Sequence, residues 1–409
     1  MGQFRILSLD GGGSRAGILA VALGRIFGGG TPGREILRQF DLAAGNSGGS
    51  IVLTALCCNY TPADVAAFYA DPATVRRMFS PRWSAVFKRI PPLRLLFPPY
   101  SAKGKFAALN DLFDRNRQAG EPAPSTIRLV DWPKYLRSEI DLLVTAYDYD
   151  RERATFFRSN HASLAQSSSL HVAPTLAEAV HASTNAPVYF FDEPAEFRGR
   201  RYWDGGLAAF DNPVLAAVVE AMANHPGRTD DIRVLSIGTG TIVQASTDDG
   251  AQPPLGAPPA DTGLSTTLKK AGLAVLADPP GTASFHAYVA LGQRMPTKSE
   301  ASPPDAHVVR MSPFVRPIFD KATGEWTPPE GLTTDEFADL VELASDAMGP
   351  RDLALIQKMG NLWISGAIPN QPIRTGERMR CDIGDDTFAE AIAHWARIAP
   401  PRSRDGDES

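Results

Sequence analysis

An apolar run able to form a buried strand, Phe40 to Ala44, ends at Gly45-Asn46-Ser47-Gly48-Gly49 and is followed at once by a run of helical character, Ile51 to Cys57. No other stretch constrains the chain more. A serine with glycine two positions away on either side forms an elbow in which strand and helix cross closely, so positions 45 and 49 have little room for a side chain. The serine on such a turn takes strained backbone angles. Its hydroxyl is shown at the C-terminal end of the strand, against the positive end of the next helix. Five residues alone are equally consistent with an incidental serine in a tight corner, because glycine and serine are common in turns. What separates the two readings is whether the chain also supplies a proton acceptor and a site for an oxyanion.

The first strand supplies the second of these. Phe4 to Leu9 is followed by Asp10-Gly11-Gly12-Gly13-Ser14-Arg15-Ala16-Gly17 and then by a helix-like run, Ile18 to Phe27. Strand, glycine loop and helix place a row of backbone N–H groups at a helix N-terminus, which is an anion site. A dinucleotide would want Gly-x-Gly-x-x-Gly, and Gly17 comes one residue late; a nucleoside triphosphate would want Gly-Lys-Ser/Thr, which is absent. The remaining anion is the oxyanion of acyl transfer, held by N–H groups of Gly11, Gly12 and Gly13. A right-handed crossover from the first strand to Phe40–Ala44 makes the two strands parallel neighbours, so both loops emerge at one sheet edge.

Further along, Arg201-Tyr202-Trp203-Asp204-Gly205-Gly206 puts an aspartate at a strand end, and Asp211-Asn212-Pro213 opens a helix. In isolation Asp204 reads as a turn former. Thr61-Pro62-Ala63-Asp64 caps a helix toward Tyr69. A short helix is expected at Asn110–Arg117, paired strands at Ser138–Tyr147 and Arg153–Phe157, helices at 175–182, 264–277, 333–347 and 387–397, and a strand at Ala306–Met311.

Charge is unevenly spread. From Arg76 to Lys105 there are eight basic residues and no acid; the rest of the chain holds 33 basic against 46 acidic residues, although the total is only −5. That total argues against a general nucleic-acid binder. The segment interleaves Arg76, Arg77, Lys88 and Arg89 with aromatics such as Trp83 and Phe87, while four prolines at 91, 92, 98 and 99 prevent one long helix. Basic side chains among large apolar ones suit a lid or a docking segment on an anionic lipid surface; ordinary packing with solvated charges is the other reading. No apolar run reaches about eighteen residues, and the N-terminus leads straight into a strand, so neither a spanning helix nor a secretory signal is expected. Cys57, Cys58 and Cys381 make no disulfide framework or zinc site. These features set an expectation of a cytoplasmic protein, peripheral at the inner membrane face.

The glycine block Ser8–Gly17, the Gly45–Gly49 elbow, His181-Ala182-Ser183-Thr184-Asn185-Ala186-Pro187 and Asp204-Gly205-Gly206 with Asn212-Pro213 occur in an order that resembles the patatin-like phospholipase family, from about Arg5 to Gly240. The resemblance implies a three-layer α/β/α fold with a central, mostly parallel sheet, and a lipid acyl hydrolase of phospholipase A type acting on phospholipids or other acyl esters. Ser47 would be the nucleophile, Asp204 its base, and Gly11, Gly12 and Gly13 the oxyanion hole. Arg15 would orient the loop or a lipid phosphate. Neither metal nor other cofactor is implied. Asn46 and Gly48 stand where the family often carries hydroxyl residues, at positions expected to be less restricted than the framing glycines. The domain organisation expected is a catalytic core over 1–240, a C-terminal extension over 241–400 packed on it, and a flexible tail, 401–409. Two rivals remain at this level: a Ser-His-Asp triad using Ser47, Asp204 and His307, and a patatin-like effector of bacterial defence switched on by a small cyclic nucleotide.

Overall fold

The computed structural model describes residues 3–84, 98–160, 173–187, 190–225, 229–243, 255, 279–293, 305–373 and 383–402. The helix expected at 264–277, residues 403–409 of the tail, and Phe87, Lys88 and Arg89 lie outside those residues. Among the described residues eight strands form one sheet: β1 (Phe4–Leu9), β2 (Leu42–Gly45), β3 (Asp141–Asp148), β4 (Arg153–Arg158), β5 (Ala195–Phe197), β6 (Arg200–Asp204), β7 (Ile232–Ile237) and β8 (Val308–Met311). Their order is β5-β6-β3-β2-β1-β7-β8, with β4 on β3. The five strands β3, β2, β1, β7 and β8 run parallel, and β4, β6 and β5 are added through antiparallel pairings.

Every residue of β1 is buried, as a strand covered on both faces requires. Alternate side chains serve the two covers. Leu7 and Leu9 join the core with α1 (Gly17–Phe27), α2 (Ser47–Cys57), α10 (Pro350–Ser365) and α11 (Phe388–Ile398), whereas Phe4 and Ile6 join the core with α7 (Val214–Asn224) and α8 (Pro279–Ala290). The other α-helices of eight residues or more among the described residues are α3 (Pro62–Ala70), α4 (Pro72–Phe79), α5 (Ala102–Asp114), α6 (Leu176–Ser183) and α9 (Thr334–Glu342). Helices α3, α6, α9 and α11 each start on a capping box, Thr61 with Asp64, Thr175 with Glu178, Thr333 with Glu336 and Thr387 with Glu390, which fixes where the chain turns into helix.

Helix α5 begins at Ala102 rather than near 110, inside the basic segment, because the Ser101 hydroxyl accepts the Gly104 N–H at 3.1 Å. The C-terminal region contributes β8 to the sheet itself, and α10, led by Pro350, packs beside α1. Among the described residues no helix is long and apolar enough to cross a membrane.

Candidate active site

Strand pairing brings Ser47 and Asp204 together. Strand β4 covers one edge of β3 from Leu143 to Asp148, so β2 and β6 must share the other edge. There Gly45 lies opposite Val144 and Asp204 opposite Ala146. Two residues of strand are about 7 Å, so β6 delivers Asp204 to the point where β2 ends and the elbow begins.

At the elbow Ser47 has φ 46, the left-handed region that costs a non-glycine residue on the order of 1–3 kcal/mol. The crossing is as tight as the glycines imply: a Cβ on Gly49 would collide with the Leu9 carbonyl and sit 2.5 Å from the Asp10 carbonyl, and one on Gly45 would lie 2.8 Å from Ser50 Cα. The intervening positions are not the permissive ones expected. A Cβ on Gly48 would lie 2.6 Å from Ala16 Cβ, and Asn46 is fully buried at the centre of a network. Its Oδ1 accepts from Thr145 Oγ1 at 2.7 Å and Ser183 Oγ at 3.4 Å; its Nδ2 donates to Asp204 Oδ1 at 3.2 Å and Asp211 Oδ1 at 3.3 Å.

Ser47 is half-buried, and its hydroxyl is close enough to the Asp204 carboxylate to lower that group's pKa. Asp204 Oδ1 also accepts the Gly206 N–H at 2.8 Å. Burial raises the Asp204 pKa, while the Gly206, Ser47 and Asn46 donors and the charge of Lys105 oppose the rise. A carboxylate with raised proton affinity is a better base for a hydroxyl.

The glycine loop lies beside the elbow. The Gly11 N–H is not open to a ligand, because it donates to the Asp211 carbonyl at 2.7 Å, and Thr239 Oγ1 holds the Gly11 carbonyl at 2.6 Å. Gly12 (φ 149) and Gly13 (φ 58) take angles that favour glycine, and among the described residues their N–H groups have no acceptor. The Gly48 N–H, in the first turn of α2, likewise has no intrahelical partner. Arg15 Nη1 reaches the Gly240 carbonyl at 3.4 Å; among the described residues its Nε has no partner, and burial lowers its pKa against the pull of Asp211.

Several supporting groups carried no local sequence signal. Asp10 forms a buried pair with Arg310, 300 positions away, at 2.6 and 2.9 Å. The Ser345 carbonyl accepts the Ser14 N–H at 2.9 Å, and the neighbouring Asp346 accepts the Tyr100 hydroxyl at 2.5 Å. Lys105, counted in the basic segment, is 2 % exposed and points inward. Of the other segment residues, Arg76, Arg77 and Trp83 are exposed, Trp83 at 69 %, and Arg77 pairs with Asp111 at 3.1 Å.

His307 cannot reach this site. It precedes β8, where Val308 is level with Val234 and so with Ile6, at the N-terminal edge of the parallel strands, whereas Asp10 and Ser47 leave the C-terminal edge. About five residues of strand, some 16 Å, separate the two edges.

Asp211 is the least expected member. Burial, then the Asp204 and Asp10 carboxylates, raise its pKa to about 7, with Arg15 and Asn46 opposing. A carboxyl that ionises later in the folded state than in the unfolded one loses stability as pH rises from its ordinary value toward the folded value. Asp211→Asn is therefore expected to melt above wild type at pH 8, with the gap closing toward pH 4. A gap independent of pH would contradict this assignment.

A family model described as patatin-like phospholipase matches residues 7–218. Among solved structures, VipD from Legionella pneumophila aligns with 96% of this chain and 74% of its own, at 12% identity and a TM-score of 0.36. The type III effector protein ExoU aligns with 71% of this chain and 53% of its own, at 10% identity and a TM-score of 0.28. Neither likeness is close enough to carry structural weight. No curated protein matches the chain in sequence.

Proposed function

The chain belongs to the patatin-like phospholipase family, whose model spans more than half of it, and is a phospholipase-type hydrolase; on that premise we propose that it cleaves carboxylic ester bonds of phospholipids, as a phospholipase A, through a Ser47–Asp204 dyad. The observation that carries this is a left-handed Ser47 on the elbow after β2, beside the buried Asp204 that the adjacent Asn46 amide and the Gly206 N–H hold in place.

Asp204 takes the hydroxyl proton as Ser47 Oγ bonds to the ester carbonyl carbon. The resulting oxyanion is held by the unengaged N–H groups of Gly12 and Gly13, joined by that of Gly48; Gly11 shapes the loop instead of donating. Each such donor is worth about 2.7–4 kcal/mol where charge develops. The C–O bond to the glycerol breaks, the leaving oxygen takes the proton back from Asp204, and Ser47 is left acylated. Water then gives a proton to Asp204 and its oxygen to the acyl carbon; the acyl–Oγ bond breaks, Asp204 returns the proton to Ser47 Oγ, and a fatty acid leaves. Arg15, with a free Nε near the loop, is assigned to orienting the loop or the lipid phosphate. The C-terminal extension braces the loop through Arg310 and Ser345. Fatty acid released from phospholipid in mixed micelles tests the proposal, and absence of release from phospholipids and from soluble acyl esters alike would end it.

Membrane contact is assigned to the exposed face of α4 and the following turn, Arg76, Arg77 and Trp83; Phe87, Lys88 and Arg89 share that assignment on sequence alone and lie outside the described residues. Each basic residue near an anionic surface adds about 1 kcal/mol. Arg76→Gln with Arg77→Gln and Trp83→Ala should weaken binding to phosphatidylserine vesicles by about tenfold or more and leave hydrolysis of a soluble ester intact. Equal loss on both would refute a docking role.

A further inference from the structure

A buried ammonium is costly unless its donors are met. Among the described residues no carboxylate lies within 4.0 Å of Lys105 Nζ. Instead it donates to the His181 carbonyl at 2.9 Å, Thr184 Oγ1 at 3.0 Å and Asn185 Oδ1 at 2.9 Å, and stands 4.3 Å from the centre of the Phe191 ring. All three oxygens can only accept: the Thr184 hydroxyl proton goes to the Val180 carbonyl at 2.8 Å, and Asn185 Nδ2 to the Glu193 carbonyl at 2.8 Å. Burial pushes the Lys105 pKa well below its usual value and the Asp204 charge opposes that push; three acceptors call for three donors, which the protonated amine alone provides, so the hydrogen bonds favour the charged form. The C-terminal end of α6 adds the negative end of its dipole, and the aromatic ring its electron-rich face.

The same turn holds both members of the dyad. Ser183 Oγ accepts the Ser47 N–H at 2.8 Å, and the Asn185 carbonyl accepts the Asp204 N–H at 2.9 Å. We propose that Lys105 is a positioning residue: by clamping the Ser183–Asn185 turn to α5, it sets the Ser47 hydroxyl and the Asp204 carboxylate in register for proton transfer. This rests on the dyad reading above.

Charge adds a second, measurable consequence. Asp204 faces Lys105 from α5, Asn46 and Ser47 from the elbow, and Asp211, which itself faces Asp10 and Arg15. Lys105 faces His181 from α6, whose pKa burial and Lys105 push well below its usual value, so that ring stays neutral. Lys105 lowers the Asp204 pKa. Removing it moves the acid limb of kcat/KM to higher pH.

The test is the full chain as wild type, Lys105→Met and Thr184→Val, assayed with p-nitrophenyl butyrate from pH 5 to 9 and followed by thermal melting. Methionine keeps the stem volume and removes the charge; valine removes one of the three acceptors and touches neither dyad residue. Misplacement of about 1 Å can cost about 10²-fold. Lys105→Met is expected to lower kcat by about 10- to 100-fold with KM nearly unchanged and with the acid limb displaced upward, and Thr184→Val to lower kcat by about threefold or more. A folded Lys105→Met with wild-type kcat, or with an unshifted acid limb, overturns the proposal. If Lys105→Met does not fold, wild-type kcat in Thr184→Val overturns it. A wild-type enzyme that turns over neither this ester nor phospholipid in mixed micelles overturns the dyad reading itself, and the clamp with it.

Discussion

Ser47→Ala is expected to lower kcat/KM for a soluble acyl ester on the order of 10⁴-fold or more, and Asp204→Asn by about 10²–10⁴-fold, with both proteins folded. The two effects differ in origin. Alanine removes the atom that forms the covalent bond, so no route through an acyl-serine remains. Asparagine keeps the shape of Asp204 and can still accept the Gly206 N–H, but it cannot take a proton. The double variant is expected to be hardly worse than Ser47→Ala alone, because residues acting as one unit do not add. Since Asp204 must be ionised to act and its pKa is raised by burial, activity should climb with pH above the ordinary carboxylate value of about 3.9. Turnover of Asp204→Asn at wild-type rate would assign the base elsewhere.

Gly49→Ala is the second large effect, and it is on folding rather than chemistry. Its Cβ would enter the space of the Leu9 and Asp10 carbonyls, which are backbone of β1 and of the glycine loop and cannot rotate away. Overpacking of this kind costs about 1–3 kcal/mol where side chains can adjust, and more where only backbone can. Gly30→Ala, with nothing within 4 Å of the added carbon, is the matched control and should be close to neutral. Denaturant unfolding of the two variants checks this, and an equal, small effect at both positions would mean the elbow is looser than its geometry.

How far the site was legible depended on sequence distance. The elbow and the loop announce themselves because each is a local strand–turn–helix whose glycines have one physical reason, close backbone approach. Their adjacency followed from the expectation of a single crossover between parallel neighbours, and β1 and β2 do pair in parallel. Asp204 was visible as an aspartate at a strand end, yet nothing local showed that β6 would share an edge of β3 with β2. Asn46 looked like a tolerated departure and is a buried hub; Gly11 looked like a donor and is already engaged. Arg310, Ser345 and Asp211 act through tertiary contacts that no periodicity encodes. Lys105 was misread for a different reason. A run of basic residues without an acid reads as one solvated surface, but the Ser101 cap starts α5 early and turns this one lysine inward.

The central claim is a covalent acyl transfer through Ser47 assisted by Asp204. It is tested most directly by treating the protein with a fluorophosphonate that mimics the tetrahedral intermediate and mapping the adduct by peptide mass spectrometry. One adduct is expected, on the peptide carrying Ser47, formed rapidly by wild type and far more slowly by Asp204→Asn. An adduct on another residue, or equal rates in the two proteins, would contradict it.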